Sequence, residues 1–356
     1  RDLYRMMHLW CGGMRGGLAI GTLGICAVFG AMVGISGAAV VAMGTIALPA
    51  MLERGYDKRM VLGCINTGGG WGILIPPSIM MILYAMISGQ SVGKMFAAGV
   101  LPGLLLVGLT VTYVLVRSFL QPHLAPALPK EERGSWAEKL RAVRAVLLPI
   151  GIVVMVLGSI IGGLTTPTEA AAMGVFGALI SAAVYRKLNW PVLQEAAIRT
   201  FKLTGMIAWI LFAAHAFSSA YQGMGAQSLI EGLMMDLPGG RWAIIIVMMA
   251  IVFVMGMLLD PVGIMLITLP VFLPIVASLG FDPIWFGVLF VINMEIGYMT
   301  PPFGFNLFYL KGIVPPGITM KDIYWSVIPF VIVNIIGMGI IMLFPEIATY
   351  LPNTLF

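Results

Sequence analysis

The sequence predicts an all-α polytopic membrane protein built from inverted-topology repeats, each holding a re-entrant helical hairpin and a helix broken at Pro-Pro. Three observations predict this. The 356 residues are 60% hydrophobic and only 10% charged, with a mean hydropathy of +1.01. Soluble domains are not that apolar, and several runs reach or approach the ~20 residues that cross a bilayer. One proline-broken stretch is written twice, and the positive charges sort to one side once hairpins and crossings are assigned. A β-barrel would instead show alternating segments of about 10 residues, and the sequence has none.

The duplication is read from glycines and prolines. Gly72-Ile-Leu-Ile-Pro76-Pro77-Ser78 returns as Gly297-Tyr-Met-Thr300-Pro301-Pro302-Phe303. At one offset of 225, Pro49 pairs with Pro274, Gly55 with Gly280, Asp57 with Asp282, Gly72 with Gly297, and Pro76-Pro77 with Pro301-Pro302. Two residues are then inserted, and Lys94 and Pro102 fall opposite Lys321 and Pro329. Two consecutive prolines remove backbone donors and forbid a continuous helix, so each copy holds a broken one.

In chain order, residues 1–16 form an amphipathic surface segment with Arg1, Arg5 and Arg15. Residues 17–94 are the first repeat: a hairpin over 17–53 with small residues at its tip, Gly34-Ile-Ser36-Gly37-Ala-Ala, then a broken helix over 60–88. Residues 95–240 follow, with a helix over about 95–117, a hydrophilic loop over 118–143 carrying Lys130, Glu131, Glu132 and Arg133, and a helix over about 145–162. Thr166-Pro167-Thr168-Glu169 reads as a capping box with proline at the first helical position, opening a helix over 168–185. An amphipathic arm is expected over 186–202 and a separate helix over 203–222. Residues 241–313 are the second repeat, with a hairpin over 241–277 hinged at Asp260-Pro261 and a broken helix over 284–312. One C-terminal helix is expected within 314–356.

Charge gives the topology. If both hairpins re-enter and the other helices cross, 18 of the 20 Lys and Arg lie on one side, leaving Lys94 and Arg241 on the other. The positive-inside rule makes the first side cytoplasmic. It also assigns the net charge of +5 to topology rather than to nucleic acid. Five crossings separate the repeats, an odd number, so the second is inverted. Inverted repeats with discontinuous helices mark a secondary transporter with its site near the midplane.

Unwound backbone inside a bilayer needs protein or a water-filled cavity for partners. Freed carbonyls bind a cation, and the next half-helix offers its N-terminus to an anion. A tip facing its break would cage Na⁺ with carbonyls and a hydroxyl from Ser36, Ser78 or Thr300. The bland alternative is that the prolines only kink their helices. Asp260 is the sharpest single residue, because a carboxylate at bilayer depth costs roughly 2.5–3.5 kcal/mol even on the lenient insertion scale. It could hold Na⁺, orient a substrate hydroxyl, carry a proton, or only cap its helix. Asn293 and Glu295 are read as hydrogen-bonding braces of the second break, with direct ligation as the alternative, and His215 as a satisfied core histidine. Cys11, Cys26 and Cys64 have no metal or redox spacing. The sequence has no phosphate-binding G-x-x-x-x-G-K-[ST] loop and no Ser/His/Asp set, so an enzyme is not expected. An intramembrane hydrolase using Asp260 would need a second acid, which the sequence does not offer at membrane depth.

Gly55-Tyr-Asp-Lys-Arg59, Gly72-Ile-Leu-Ile-Pro-Pro-Ser78, Ser91-Val-Gly-Lys94, Thr166-Pro-Thr-Glu-Ala170, Met257-Leu-Leu-Asp260 and Asn293-Met-Glu-Ile-Gly297 followed by Thr300-Pro-Pro302 together resemble the large membrane subunit of TRAP (tripartite ATP-independent periplasmic) transporters. The resemblance runs from about residue 10 to 343 and implies that two helices precede Arg1, which fits a chain that does not open on Met. It implies a Na⁺-driven elevator in the bacterial inner membrane, with a transport domain of hairpins and broken helices sliding against a scaffold. It also implies a small four-helix membrane subunit and a periplasmic substrate-binding protein delivering a carboxylate. By motif, the family's substrate contacts fall on Ser36, Ser78 and Asp260. One Na⁺ site falls on Ser36, Gly37, Gly72 and Pro76, and the other on Asp260, Gly297, Thr300 and Pro301. Many members carry two adjacent serines at the first tip, where this chain has Ser36 alone. A two-component Na⁺ or H⁺ symporter without a binding protein is the alternative within transport.

Overall fold

The computed structural model describes residues 2–127, 129, 134–225, 229–230, 232, 234 and 238–356. Lys130, Glu131, Glu132 and Arg133 of the expected hydrophilic loop lie outside them. All regular structure among the described residues is helical. Among the described residues five helices are long and apolar enough to span a bilayer, one of them Pro261–Ser278 in the second hairpin, and shorter apolar helices supply the other hairpin arms.

The first repeat opens with α2 (Gly17–Val33) and α3 (Ser36–Leu52), which form the hairpin. They turn at Gly34-Ile35, where Gly34 takes a left-handed φ of 70°. Then α4 (Lys58–Gly70) runs into a 3₁₀ turn over Trp71–Ile73, unwinds, and resumes as α5 (Ile79–Ser88). In the second repeat, α10 (Gly240–Gly256) and α11 (Pro261–Ser278) form the hairpin. The broken helix is α12 (Pro283–Tyr298) and α13 (Phe305–Lys311).

The repeat extends to single hydrogen bonds. Asp57 caps α4 by accepting from the amides of Arg59 and Met60 at 3.0 Å each. Asp282, its equivalent, caps α12 by accepting from Ile284 at 2.7 Å and Trp285 at 3.0 Å. Gly55 and Gly280 both take positive φ, 75° and 73°, which only glycine adopts without strain. The Pro76-Pro77 and Pro301-Pro302 bonds are both cis. Both repeats lead into a long capped helix: α6 (Val92–Leu120) from Ser91 and α14 (Met320–Leu343) from Thr319, with Pro102 and Pro329 inside them.

Between the repeats lie α7 (Trp136–Ile161), α8 (Pro167–Val184) and α9 (Trp190–Gly223). The Thr166–Glu169 capping box forms as read, with Glu169 accepting from the Thr166 amide at 2.7 Å. Three expectations are corrected. The helix expected from about 145 starts at Trp136, because Ser135 and Glu138 make a second capping box that shortens the loop. The arm over 186–202 and the helix over 203–222 are one continuous helix from Trp190, held on its polar turns by the Arg199–Glu195 pair at 2.5 Å. The C-terminal region holds two helices, α14 and α15 (Glu346–Leu355), split at Pro345. At the N-terminus, α1 covers Asp2–Cys11.

The packing centres on the first halves of the broken helices. Every residue from Ile284 to Tyr298 of α12 is buried, as is α4 from Met60 to Gly70. A helix apolar all round belongs in a core, and each anchors one cluster: α12 with α5, α10 and α11, and α4 with α2, α3 and α14. Cross-ties join the repeats: Tyr84 Oη donates to the Pro283 carbonyl at 2.6 Å, and Lys58 pairs with Asp322 at 2.7 Å. By contrast α8 and α9 expose Val175, Phe176, Trp209 and Phe212. His215 is exposed with them rather than packed in a core.

Candidate functional site

Both hairpin tips are seated on their breaks, and glycine makes each seat possible. A Cβ on Gly72 would lie 2.7 Å from the Ile35 carbonyl oxygen, so no side chain fits where the first tip meets the first break. In the second repeat a Cβ on Gly297 would lie 2.8 Å from Gly256 Cα, placing the end of α10 on the second break. Backbone thus meets backbone closely in both repeats, at the 3₁₀ turn after α4 in the first and at the last turn of α12 in the second.

The two tips open onto one cavity of about 590 Å³. Ser36 and Gly37 line it from the first tip, Asp260 from the second, Tyr298 and Tyr309 from the second broken helix, and Arg199 from α9. Asp260 is exposed to this space, while its Oδ2 accepts from the amides of Val262 at 3.0 Å and Gly263 at 3.4 Å. It is thus a cap and a cavity wall at once. No second carboxylate lines the cavity among the described residues, so the acid pair an intramembrane hydrolase would need is not assembled there.

The other residues singled out from the sequence stand behind the cavity rather than on it. Ser78 is fully buried; its hydroxyl donates to the Ile73 carbonyl and accepts from the Met81 amide at 3.4 Å, capping α5. Gly72 and Pro76 lie beneath the first tip, where the Ile79 amide reaches the Gly34 carbonyl at 3.5 Å. Gly297, Thr300 and Pro301 lie at the second break, with Thr300 Oγ1 donating to the Ile296 carbonyl at 2.6 Å. Asn293 does brace its helix, donating to the Met249 carbonyl of α10 at 2.5 Å. Glu295 does not: it is fully buried and neither carboxylate oxygen has a hydrogen-bond partner among the described residues.

Arg199, Tyr298 and Tyr309 were not singled out from the sequence. Tyr298 had a signal, sitting two residues before Thr300-Pro-Pro; Arg199 and Tyr309 had none, because tertiary packing alone carries them to the cavity. Tyr309 closes on the first tip so tightly that a Cβ on Gly37 would lie 2.6 Å from its ring. The first hairpin thus meets the second broken helix as well as its own.

Paired hairpins and broken helices around one mainly apolar cavity with a few polar side chains, in a multi-pass helical protein, define a secondary transporter, and comparison with known proteins narrows the class. Over residues 1–347 the chain matches the family described as "Tripartite ATP-independent periplasmic transporter, DctM component". It is 35% identical to the C4-dicarboxylate TRAP transporter large permease protein DctM of Pseudomonas aeruginosa, covering 100% of this chain and 82% of that one. It is 33% identical to the ectoine TRAP transporter large permease protein TeaC of Halomonas elongata, covering 99% and 82%. The fold is that of the YdaH transporter of Alcanivorax borkumensis, with a TM-score of 0.63 at 14% identity over 98% of this chain and 85% of that one. The chain belongs to the DctM family, the large permease subunits of TRAP transporters. It is a multi-pass protein of the bacterial inner membrane and a transport subunit rather than an enzyme.

Proposed function

We propose that this permease subunit performs Na⁺-coupled uptake of a small organic acid across the inner membrane. It would take its substrate from a periplasmic binding protein and work beside a small four-helix membrane subunit. The observation that carries the reading is the shared cavity, where both hairpin tips present Ser36 and Asp260 to one space of about 590 Å³. That volume suits a small solute. The Asp260 carboxylate would repel an anionic cargo unless a cation accompanies it, while Arg199 supplies a fixed positive charge on the facing helix.

The residues fit a hard alkali cation. Each tip–break seat offers carbonyl and hydroxyl oxygens and no thiol or imidazole: Ser36, Gly37, Gly72 and Pro76 in one, Asp260, Gly297, Thr300 and Pro301 in the other. When bound, Na⁺ would supply positive charge that offsets the carboxylates of site and cargo. The protein's part is to seat each tip on its break. Ser78 would hold the first break in shape through its hydroxyl, and Asp260 would orient the start of α11. Residues 17–94 and 241–313 would move as the transport domain against 95–240 and 314–356. The name of the C4-dicarboxylate relative supports an acid cargo.

The test is uptake of labelled C4-dicarboxylate into proteoliposomes holding the full-length permease and its small subunit. An inward Na⁺ gradient and purified binding protein are added separately and together. Uptake requiring both is expected. Uptake with Na⁺ alone would favour a two-component symporter, and indifference to Na⁺ would remove the coupling.

A further inference from the structure

Gly70 and Glu295 occupy equivalent positions in the two repeats, separated by the same 225 residues as Gly72 and Gly297. They also touch. A Cβ on Gly70 would lie 3.1 Å from Glu295 Cγ, 3.2 Å from its Oε1 and 3.6 Å from Asn306 Nδ2. Residues related by a two-fold operation meet only near its axis, so this contact marks the pseudo-axis between the repeats. A carboxylate in both copies would set two like charges against each other there; glycine in one copy leaves a single acid.

The surroundings of that acid are polar and unpartnered. Glu295, Asn66 and Asn306 are each fully buried, and both side-chain polar atoms of all three lack a hydrogen-bond partner among the described residues. Asn66 lies one turn before Gly70 on the same face of α4. Helix α4 ends at Gly70 and α12 at Tyr298, and Asn306 stands on the first turn of α13, so two negative helix ends and one positive end meet here. No Lys, Arg or His is among the described buried residues. Six orphaned polar atoms, at about 1–3 kcal/mol each, are more than a core tolerates.

We propose that Glu295, Asn66 and Asn306 form a Na⁺ site on the axis between the two repeats, separate from the tip–break seats. One carboxylate balances one positive charge, which favours a monovalent ion over a divalent one. The amide oxygens complete an oxygen set, since amide orientation follows the ligand present. Because α4, α12 and α13 each contribute a wall, the ion would hold both broken helices together as one body. This site deepens the Na⁺-coupled reading and rests on it.

The test counts ²²Na⁺ bound by the purified full-length permease with its small subunit, and follows thermal unfolding as Na⁺ replaces K⁺. Glu295→Gln keeps shape and removes charge; Gly70→Ala keeps every ligand and sets a methyl 3.1–3.2 Å from the Glu295 side chain, crowding its carboxylate. Each variant is expected to bind one Na⁺ fewer than wild type, or to need a roughly tenfold or higher Na⁺ concentration for half-maximal protection. Wild-type counts and midpoints in both variants would overturn the axial site while leaving the tip–break seats standing. No Na⁺ binding by the wild type would overturn both. If Glu295→Gln does not fold in either salt, Gly70→Ala and Asn66→Ala decide the question by the same two readouts.

Discussion

Asp260 caps α11 and faces the cavity with one carboxylate, and the two roles separate under substitution. Asn caps a helix about as well as Asp, whereas Ala loses roughly 0.5–2 kcal/mol. Asp260→Asn is therefore expected to melt within a few tenths of a kcal/mol of wild type and still to lose uptake, because the charge that a cation would balance has gone. Asp260→Ala should lose uptake and also melt lower by about 1 kcal/mol. Melting curves and uptake measured on the same preparations check this. Normal uptake by Asp260→Asn would reduce the residue to a cap. Arg199 is the complementary case at this scale. Exposed and paired, among the described residues, with Glu195 one turn earlier, it adds little to stability, so Arg199→Gln is expected to leave melting unchanged. It should raise the carboxylate concentration for half-maximal uptake roughly tenfold, the loss of one charge-assisted contact of about 1.5 kcal/mol.

At the scale of elements, the seats of tip on break depend on close backbone approach. A Cβ at Gly72 would press on the Ile35 carbonyl, and one at Gly297 on Gly256 Cα, both nearer than 3.0 Å and both against backbone that has little freedom to yield. Gly72→Ala and Gly297→Ala are expected to destabilise by roughly 1–3 kcal/mol through overpacking. Gly108→Ala in α6, where a Cβ meets nothing within 4 Å, should be neutral or stabilising by up to about 1 kcal/mol. Equal melting of all three would show that the hairpins do not rest on the breaks. The seats were legible in outline, because proline and glycine act locally and the hairpins and breaks fell within a few residues of their expected positions. The start of α7 was not. Lys139, Arg141 and Arg144 make its first turns look like a loop, and only the Ser135–Glu138 box signals a helix. The continuity of α9 was hidden for a related reason: its polar turns and its apolar turns differ in composition but not in backbone.

For the whole molecule, the sequence carried the duplication but not the way the copies interlock. Offset matching pairs Gly72 with Gly297 but says nothing of Gly37 meeting Tyr309 or of Arg199 reaching the tips. Those contacts join segments far apart in the chain and depend on packing that no local pattern encodes. The same limit applied to Glu295, whose isolation shows only once Gly70 is placed against it. Inversion of the repeats remains the claim with the widest reach, since alternating access follows from exchanging two oppositely oriented halves. It makes equivalent residues emerge on opposite faces. Lys94, three residues after the Ser91 cap of α6, pairs with Lys321, two after the Thr319 cap of α14. Cys26 and Cys64 are fully buried and out of reach of a charged maleimide, so only Cys11 need be replaced by Ser. In spheroplasts, Lys94→Cys is expected to react with an impermeant maleimide from outside, and Lys321→Cys only after the membrane is opened. Labelling of both from the same side would make the repeats parallel and leave the two tips without a common midplane cavity to serve from opposite faces.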